Sequence, residues 1–170
     1  MKKNFIIYTL IIFIFTSFSI FAQREVNYGD LKYNEETELV YVEGEKEAFT
    51  GIAKDYYEDK SLKAEVPYLN GKIEGIETQY YPDGKLKSEA NFIDGILEGK
   101  VIGYYENGNI EYEKNVSNNG RTVYEKHYFS SGKLDFEATY QDGKLNGVVK
   151  KYGENGQVVQ QGTFKNGVQV

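Results

Sequence analysis

The chain has no cysteine and no tryptophan, and only one histidine and two prolines among its 170 residues. Without cysteine there can be no disulfide, no thiolate metal site and no cysteine-based lipid anchor beside an export cleavage site. The same absence leaves the redox compartment unreadable. Lack of tryptophan counts against a glycan-binding module, since aromatic-repeat modules of that kind favour it. His127 stands alone, with no second histidine or cysteine to share a metal, and the neighbouring Ser130 and Ser131 occupy a turn signature rather than a nucleophile elbow. After residue 22 no stretch shows the apolar period of an amphipathic helix.

Long apolar runs are also missing, with one exception at the start. Lys2 and Lys3 precede an apolar segment from Phe5 to Ile20, and Ala22 closes it before Gln23-Arg24-Glu25. That order of charge, apolar core and small residue predicts a secretory signal peptide over residues 1–22. Left uncleaved, the run is long enough for a membrane anchor. The expected location is therefore exported: periplasmic, cell-surface or secreted. The whole chain carries a formal charge of −6, and loss of the two leader lysines leaves 18 basic against 26 acidic side chains, a charge of −8. An acidic surface repels nucleic acid and anionic lipid headgroups, so neither is an expected partner.

What the chain has in quantity is tyrosine and glycine, 16 and 18 residues, and both recur at a fixed interval. Five 24-residue units follow one another without a gap: residues 51–74, 75–98, 99–122, 123–146 and 147–170. One column reads Tyr56, Tyr80, Tyr104, Tyr128 and Tyr152. Others read Glu65, Glu89, Glu113, Glu137 and Gln161, and Tyr68, Phe92, Val116, Tyr140 and Phe164. Self-similarity at such a period marks a repeat architecture in which each unit buries its apolar side against its neighbours.

Within the second unit, Pro82-Asp83-Gly84 is a turn signature, because proline presets φ and glycine accepts a positive φ. Ser88, Ala90 and Phe92 then alternate with Lys87, Glu89 and Asn91, a period of two that predicts a half-buried strand. Asp94-Gly95 turns the chain again, as do Asn70-Gly71 and Asp142-Gly143. Each unit is thus two strands and two tight turns, and the whole an all-β, elongated antiparallel meander of hairpins. Residues 23–50 form an N-terminal capping hairpin, with Leu39–Val42 as a strand, Glu43-Gly44-Glu45 as a turn and Phe49-Thr50-Gly51 closing it. Asn119 replaces a turn glycine and Val123 replaces the glycine that opens the other units, so the junction of the third and fourth units is expected to be the least regular part of the sheet.

The aromatic columns are the candidate sites. Tyr56, Tyr80, Tyr104, Tyr128 and Tyr152 form a ladder with rungs about 9.5 Å apart, read as structural packing. Tyr57, Tyr81, Tyr105 and Phe129 form a second ladder on the opposite face, and these are the candidate partner-binding residues. The glutamate column reads as a solvated face partnered by Lys63 and Lys87. Because it repeats, it lacks the two distinct environments that a catalytic carboxylate pair requires, and a flat ladder does not converge on calcium. The turns carry Asp, Asn or Ser where a phosphate loop has Lys followed by Ser or Thr. No catalytic, cofactor or metal residue is assigned.

Phe49-Thr50-Gly51 leading to Tyr56-Tyr57, followed by Tyr68-Leu69-Asn70-Gly71-Lys72-Ile73-Glu74-Gly75, resembles the MORN-variant repeat from Phe49 to Val170. Proteins of this build are commonly named YwqK-family antitoxins of toxin–antitoxin systems. The resemblance implies MORN-like hairpins in an extended twisted sheet, and a binding scaffold rather than an enzyme. The expected function is an exported scaffold that binds another protein; a cell-envelope glycan binder and an antitoxin neutralising a protein toxin are the alternatives.

Overall fold

The computed structural model describes residues 24–170, so the expected leader over residues 1–22 lies outside the described residues. Among the described residues no helix is long and apolar enough to cross a membrane. The chain begins with β1 (Glu25–Asn27), one 3-10 turn (Tyr28–Asp30), β2 (Leu31–Asn34) and β3 (Leu39–Val42). The repeats follow as β4 (Gly51–Tyr56), β5 (Leu62–Leu69), β6 (Lys72–Ile73), β7 (Gly75–Tyr80), β8 (Leu86–Ile93) and β9 (Ile96–Tyr104). They continue through β10 (Ile110–Ser117), β11 (Thr122–Tyr128), β12 (Leu134–Gln141), β13 (Lys144–Leu145), β14 (Gly147–Tyr152), β15 (Val158–Lys165) and β16 (Val168–Gln169). From β4 onward the long strands pair in sequence order and every pairing among them is antiparallel, with the short β6 and β13 pairing β5 and β12 beside β7 and β14, the expected all-β meander.

Turn chemistry sets this order. Asn70-Gly71, Asp94-Gly95, Asp142-Gly143 and Asn166-Gly167 all have positive φ at both residues. That is the two-residue hairpin turn whose twist matches the strands it joins. At the other end of each unit Tyr81 N–H donates to the Lys85 carbonyl at 2.8 Å and Gly84 N–H to the Tyr81 carbonyl at 2.9 Å, with Gly84 at φ 81°. Lys60 holds the same place in the first unit at φ 69°.

Two kinds of bulge recur that the alternation pattern does not reveal. One lies before each residue of the first tyrosine column: Asp55 pairs with Ala64 and Tyr56 with Leu62, leaving Lys63 extra. The shift returns before Tyr80, Tyr128 and Tyr152 and beside Tyr104. The second kind lies at the unit-opening glycines. Pairing runs from Tyr68 with Ile73 to Glu65 with Thr78, a step of three residues on one strand against five on the other. Gly75, Gly99 and Gly147 stand at that step with φ of 104°, 91° and 122°, a conformation costly for any side chain.

The third junction departs from the expectation of irregularity. Here β10 and β11 pair without a break from Tyr112 with His127 to Ser117 with Thr122. Val123 cannot supply the positive φ that the second bulge needs, so the extra residues move into a wider turn. Asn118, Asn119 and Gly120 all have positive φ there. Losing the glycine makes the ladder straighter.

Among the described residues the cluster of buried apolar side chains lies at the N-terminal end. Phe49, Ala53, Val66 and Tyr68 are buried together, with Val26, Leu31, Val40, Val42 and Ile73 packed against them. The covering hairpin is β2–β3, in register from Leu31 with Val42 to Asn34 with Leu39. The stretch expected to close the cap contributes only a single bridge, Tyr41 with Ala48, and Phe49 turns inward as the core's largest side chain. Strand β1 lies parallel to β4 and covers its outer edge.

Candidate functional site

Alternation gives the sheet two unlike faces. The capped face carries Ala64, Val66 and Tyr68 and, across the ladder, Gln79, Glu77 and Ala90. The open face carries Glu65, Pro67 and Leu69 and, opposite them or beside, Thr78, Ile76 and Glu89.

The first tyrosine column and the glutamate column prove to be one device. Tyr80 donates its hydroxyl to Glu65 at 3.0 Å, Tyr104 to Glu89 at 3.1 Å, Tyr128 to Glu113 at 2.6 Å and Tyr152 to Glu137 at 2.7 Å. Each tyrosine therefore ties its unit to the preceding one. Glu137 also accepts from Tyr124 at 3.0 Å and from Lys150 at 3.2 Å. The expected solvated carboxylate face is thus corrected: Lys63 pairs with Asp55 at 2.7 Å, and Lys87 lies over the Tyr81 ring at 5.9 Å. Tyr56, with no glutamate one unit before it, is 44 % exposed.

These bonds shift both partners. Burial raises the phenol of Tyr80, Tyr104 and Tyr128 above its ordinary value, and the carboxylate each one touches adds to it; Tyr128 reaches about 12. For Tyr152 the bond to Glu137 is the main cause of the rise. Glu113 and Glu137 are held below the usual carboxylate range, first by the hydroxyls of Tyr128 and Tyr152 and then by Lys100 and Lys150.

The second ladder is also tied internally. Tyr57 donates to the Tyr80 carbonyl at 2.7 Å, Tyr81 to that of Tyr104 at 2.6 Å and Tyr105 to that of Tyr128 at 2.7 Å. Phe129 has no hydroxyl and cannot repeat the bond. All four rings are half-buried. Tyr57 further lines a cleft of about 260 Å³ between sheet and cap, with Tyr28, Asp55, Lys63, Glu77 and Lys87 around it.

Two groups lie outside the sequence-based site. Glu125 is buried, 3.3 Å from Lys114 Nζ, with the Tyr140 phenol beside it. His127 packs between the rings of Tyr112 and Phe136, with centroids 6.0 and 5.9 Å away. On the open face Leu69, Ile76, Ile93 and Ile96 are 41–55 % exposed on neighbouring strands. A shallow hollow of about 340 Å³ beside Ile76 is lined by Glu89, Asn91, Lys100 and Ile102. These isoleucines lie off the aromatic columns, and the signal for them was a run of apolar residues in positions that alternation assigns to the polar face.

An open antiparallel sheet of repeated hairpins, stitched unit to unit by side chains, is a repeat scaffold. Among the described residues no group of three or more His, Cys, Asp or Glu side chains could hold a metal ion. Residues 49–70, 73–94, 97–118, 121–142 and 145–166 each match the family described as the MORN repeat variant, and the chain belongs to that family. Its members are generally non-enzymatic. No curated protein matches the sequence.

Proposed function

We propose that this protein is an exported, non-enzymatic scaffold that binds another protein on its sheet. The observation that carries this reading is the aliphatic patch of Leu69, Ile76, Ile93 and Ile96 on the open face, each at least 41 % exposed. Exposed large apolar side chains grouped in this way mark protein contacts more often than they occur on a free surface. Aliphatic side chains offer a sugar no ring to stack on, and the Tyr81 ring is already faced by Lys87. The Tyr57, Tyr81, Tyr105 and Phe129 ladder is the second contact surface of the proposal, reached through the cleft at Tyr57. The leader expected over residues 1–22 supports an encounter outside the cytosol, and a partner that is an exported toxin would fit the YwqK-family resemblance.

The experiment is affinity capture from envelope fractions, run beside retention on purified envelope polysaccharide. Capture of one discrete protein, lost in Ile76→Lys with Ile93→Lys and kept in Lys87→Glu, is the expected result. Loss in Lys87→Glu alone would move the contact to the tyrosine ladder. Retention on polysaccharide that disappears in Tyr81→Ala with Tyr105→Ala would replace the proposal with the glycan reading. Capture of a cytosolic toxin would overturn the location.

A further inference from the structure

The second tyrosine ladder changes sign along its length. In each of the first four units the bulge at the first tyrosine column leaves one extra residue on the returning strand: Lys63, Lys87, Glu111 and Asp135. Each lies six residues after a ring of the second ladder, namely Tyr57, Tyr81, Tyr105 and Phe129. In the second unit a cation at this place settles on the ring, with Lys87 Nζ 5.9 Å from the Tyr81 centroid. Lys63 lines the cleft beside Tyr57 and pairs with Asp55 at 2.7 Å. In the third and fourth units a carboxylate holds the place. Among the described residues no lysine or arginine lies over the Tyr105 or Phe129 ring.

Tyr105 stands between two of these carboxylates. Glu111 is the bulge residue of its own unit, and its hydroxyl donates to the Tyr128 carbonyl at 2.7 Å, beside the bulge that holds Asp135. Burial raises the Tyr105 phenol above its ordinary value, and Glu111 and Asp135 add to the rise. Among the described residues neither carboxylate has a basic side chain within ion-pair distance. Asp135 Oδ1 is in addition shut off from solvent with no hydrogen-bond partner. The lysines of the same strands are held elsewhere. Lys114 lies 3.3 Å from Glu125 and over the Tyr112 ring at 5.3 Å, and Lys133, two residues before Asp135, donates to the Glu154 carbonyl at 2.6 Å. Buried charge costs free energy unless it is paired. A ring face attracts a cation, and a carboxylate beside the ring adds to that attraction.

We propose that Tyr105, with Glu111 and Asp135 on either side, takes an arginine or lysine side chain from a basic segment of a partner protein. The partner then gives Tyr105 the cation that Lys87 gives Tyr81. The inference rests on the reading of this ladder as a contact surface and names the chemistry the ladder selects; it does not use the aliphatic patch. Charge complementarity argues for a basic segment at two ranges. The net charge of −6 draws such a segment in from a distance. At contact, Lys63 and Lys87 repel it from the first two units while Glu111 and Asp135 accept it in the next two. The sign change therefore fixes where along the ladder the segment docks.

Calorimetric titration of the full 170-residue chain with an end-capped hexa-arginine peptide, at near-physiological salt, tests this. Glu111→Lys, which gives Tyr105 a lysine of its own, should weaken binding about tenfold or more. Asp135→Asn keeps the side chain's shape and removes only its charge, so its several-fold loss reads the site even where Glu111→Lys disturbs the bulge. Glu35→Lys makes the same charge change in the exposed turn of the cap and should leave the affinity within about twofold. Lys87→Glu frees the Tyr81 ring and should tighten binding. No binding by the unaltered chain, an equal loss in Glu35→Lys and Glu111→Lys, or full affinity in both Glu111→Lys and Asp135→Asn would each overturn the inference. The titration needs no native partner, so its failure leaves capture through Ile76 and Ile93 untouched, and a failed capture leaves the titration untouched.

Discussion

Among the described residues the sheet is covered at its N-terminal end and uncovered at its C-terminal end, although the first and fifth units are built on the same pattern. Strand β1 covers the edge of β4, the β2–β3 hairpin covers one face, and Phe49 seals the gap at 1 % exposure. At the far end Val158, Val159, Val168 and Val170 are 49–76 % exposed, and β15 has eight residues of which six are exposed. The units between resemble neither end. They have little core and hold together by hydroxyl bonds to carboxylates and carbonyls one unit away. A repeat needs no core of its own if its neighbour supplies the acceptor. The first unit is met instead by the apolar cover of the cap, and among the described residues the fifth unit has no such cover.

The largest effect expected is at the closed end. Phe49→Ala empties a site shared by the cap and the first unit, and such truncations cost about 3–5 kcal/mol. Val168→Ser at the open end removes only exposed surface and should change stability by less than about 0.5 kcal/mol. Urea denaturation of both variants checks the contrast. Equal effects would mean that the cap is not the sheet's anchor. Hydrogen exchange should place the loss in β4 and β5, where protection depends on Phe49, and leave β14 and β15 unchanged.

The next effect separates the junctions. Gly99→Val forces a branched side chain into φ 91°, a strain of about 1–3 kcal/mol. Val123→Gly, at the junction that has no second bulge, loses a strand former and should cost about 1 kcal/mol or less. A larger loss for Val123→Gly than for Gly99→Val would show that the unit-opening glycines are dispensable. Thermal unfolding of the two variants gives the order directly.

A smaller effect should follow pH, and it bears on the middle of the sheet rather than the ends. Glu113 and Glu137 sit below their ordinary range when folded. Their contribution is therefore present above the unfolded carboxylate value, about 4.3, and lost as pH falls through the lower folded value. The tyrosines act in reverse. Tyr128, raised to about 12, contributes fully below the unfolded phenol value of about 10 and loses that contribution as pH rises from there. Stability should fall on both sides of a broad plateau, and Tyr128→Phe should remove part of the alkaline limb. An alkaline limb identical in that variant would mean the hydroxyl-to-carboxylate bonds are not what holds adjacent units.

Much of this was legible from the sequence. The period, the strand pairs and the Asn-Gly and Asp-Gly turns all follow from local chemistry, because a turn needing two positive φ values selects its residues. The bulges were not legible, since an extra residue in a strand leaves the 24-residue period unchanged. The pairing of Tyr80 with Glu65 spans 15 residues and two strands, so no local window contains it. One signal was nonetheless present. The glutamate column carries Gln161 in the fifth unit, and among the described residues no tyrosine of the first column follows that unit. The exposed isoleucines were hidden for a different cause: attention to aromatic columns passes over aliphatic residues that do not repeat.

The smallest expected effect returns to the closed end. Lys60 holds φ 69° in a turn where the later units have Gly84, Gly108, Gly132 and Gly156 at φ 77–86°. A side chain in this region crowds its own backbone, and glycine relieves that strain. Glycine also enlarges the freedom of the unfolded chain, which offsets part of the gain. Lys60→Gly should therefore stabilise by about 0.5 kcal/mol, a difference that urea midpoints can resolve if the slope is unchanged. A loss instead would mean that Lys60 makes up for its strained backbone with a contact of its own, and that the first unit is shaped by the cap side of the molecule rather than by the repeat.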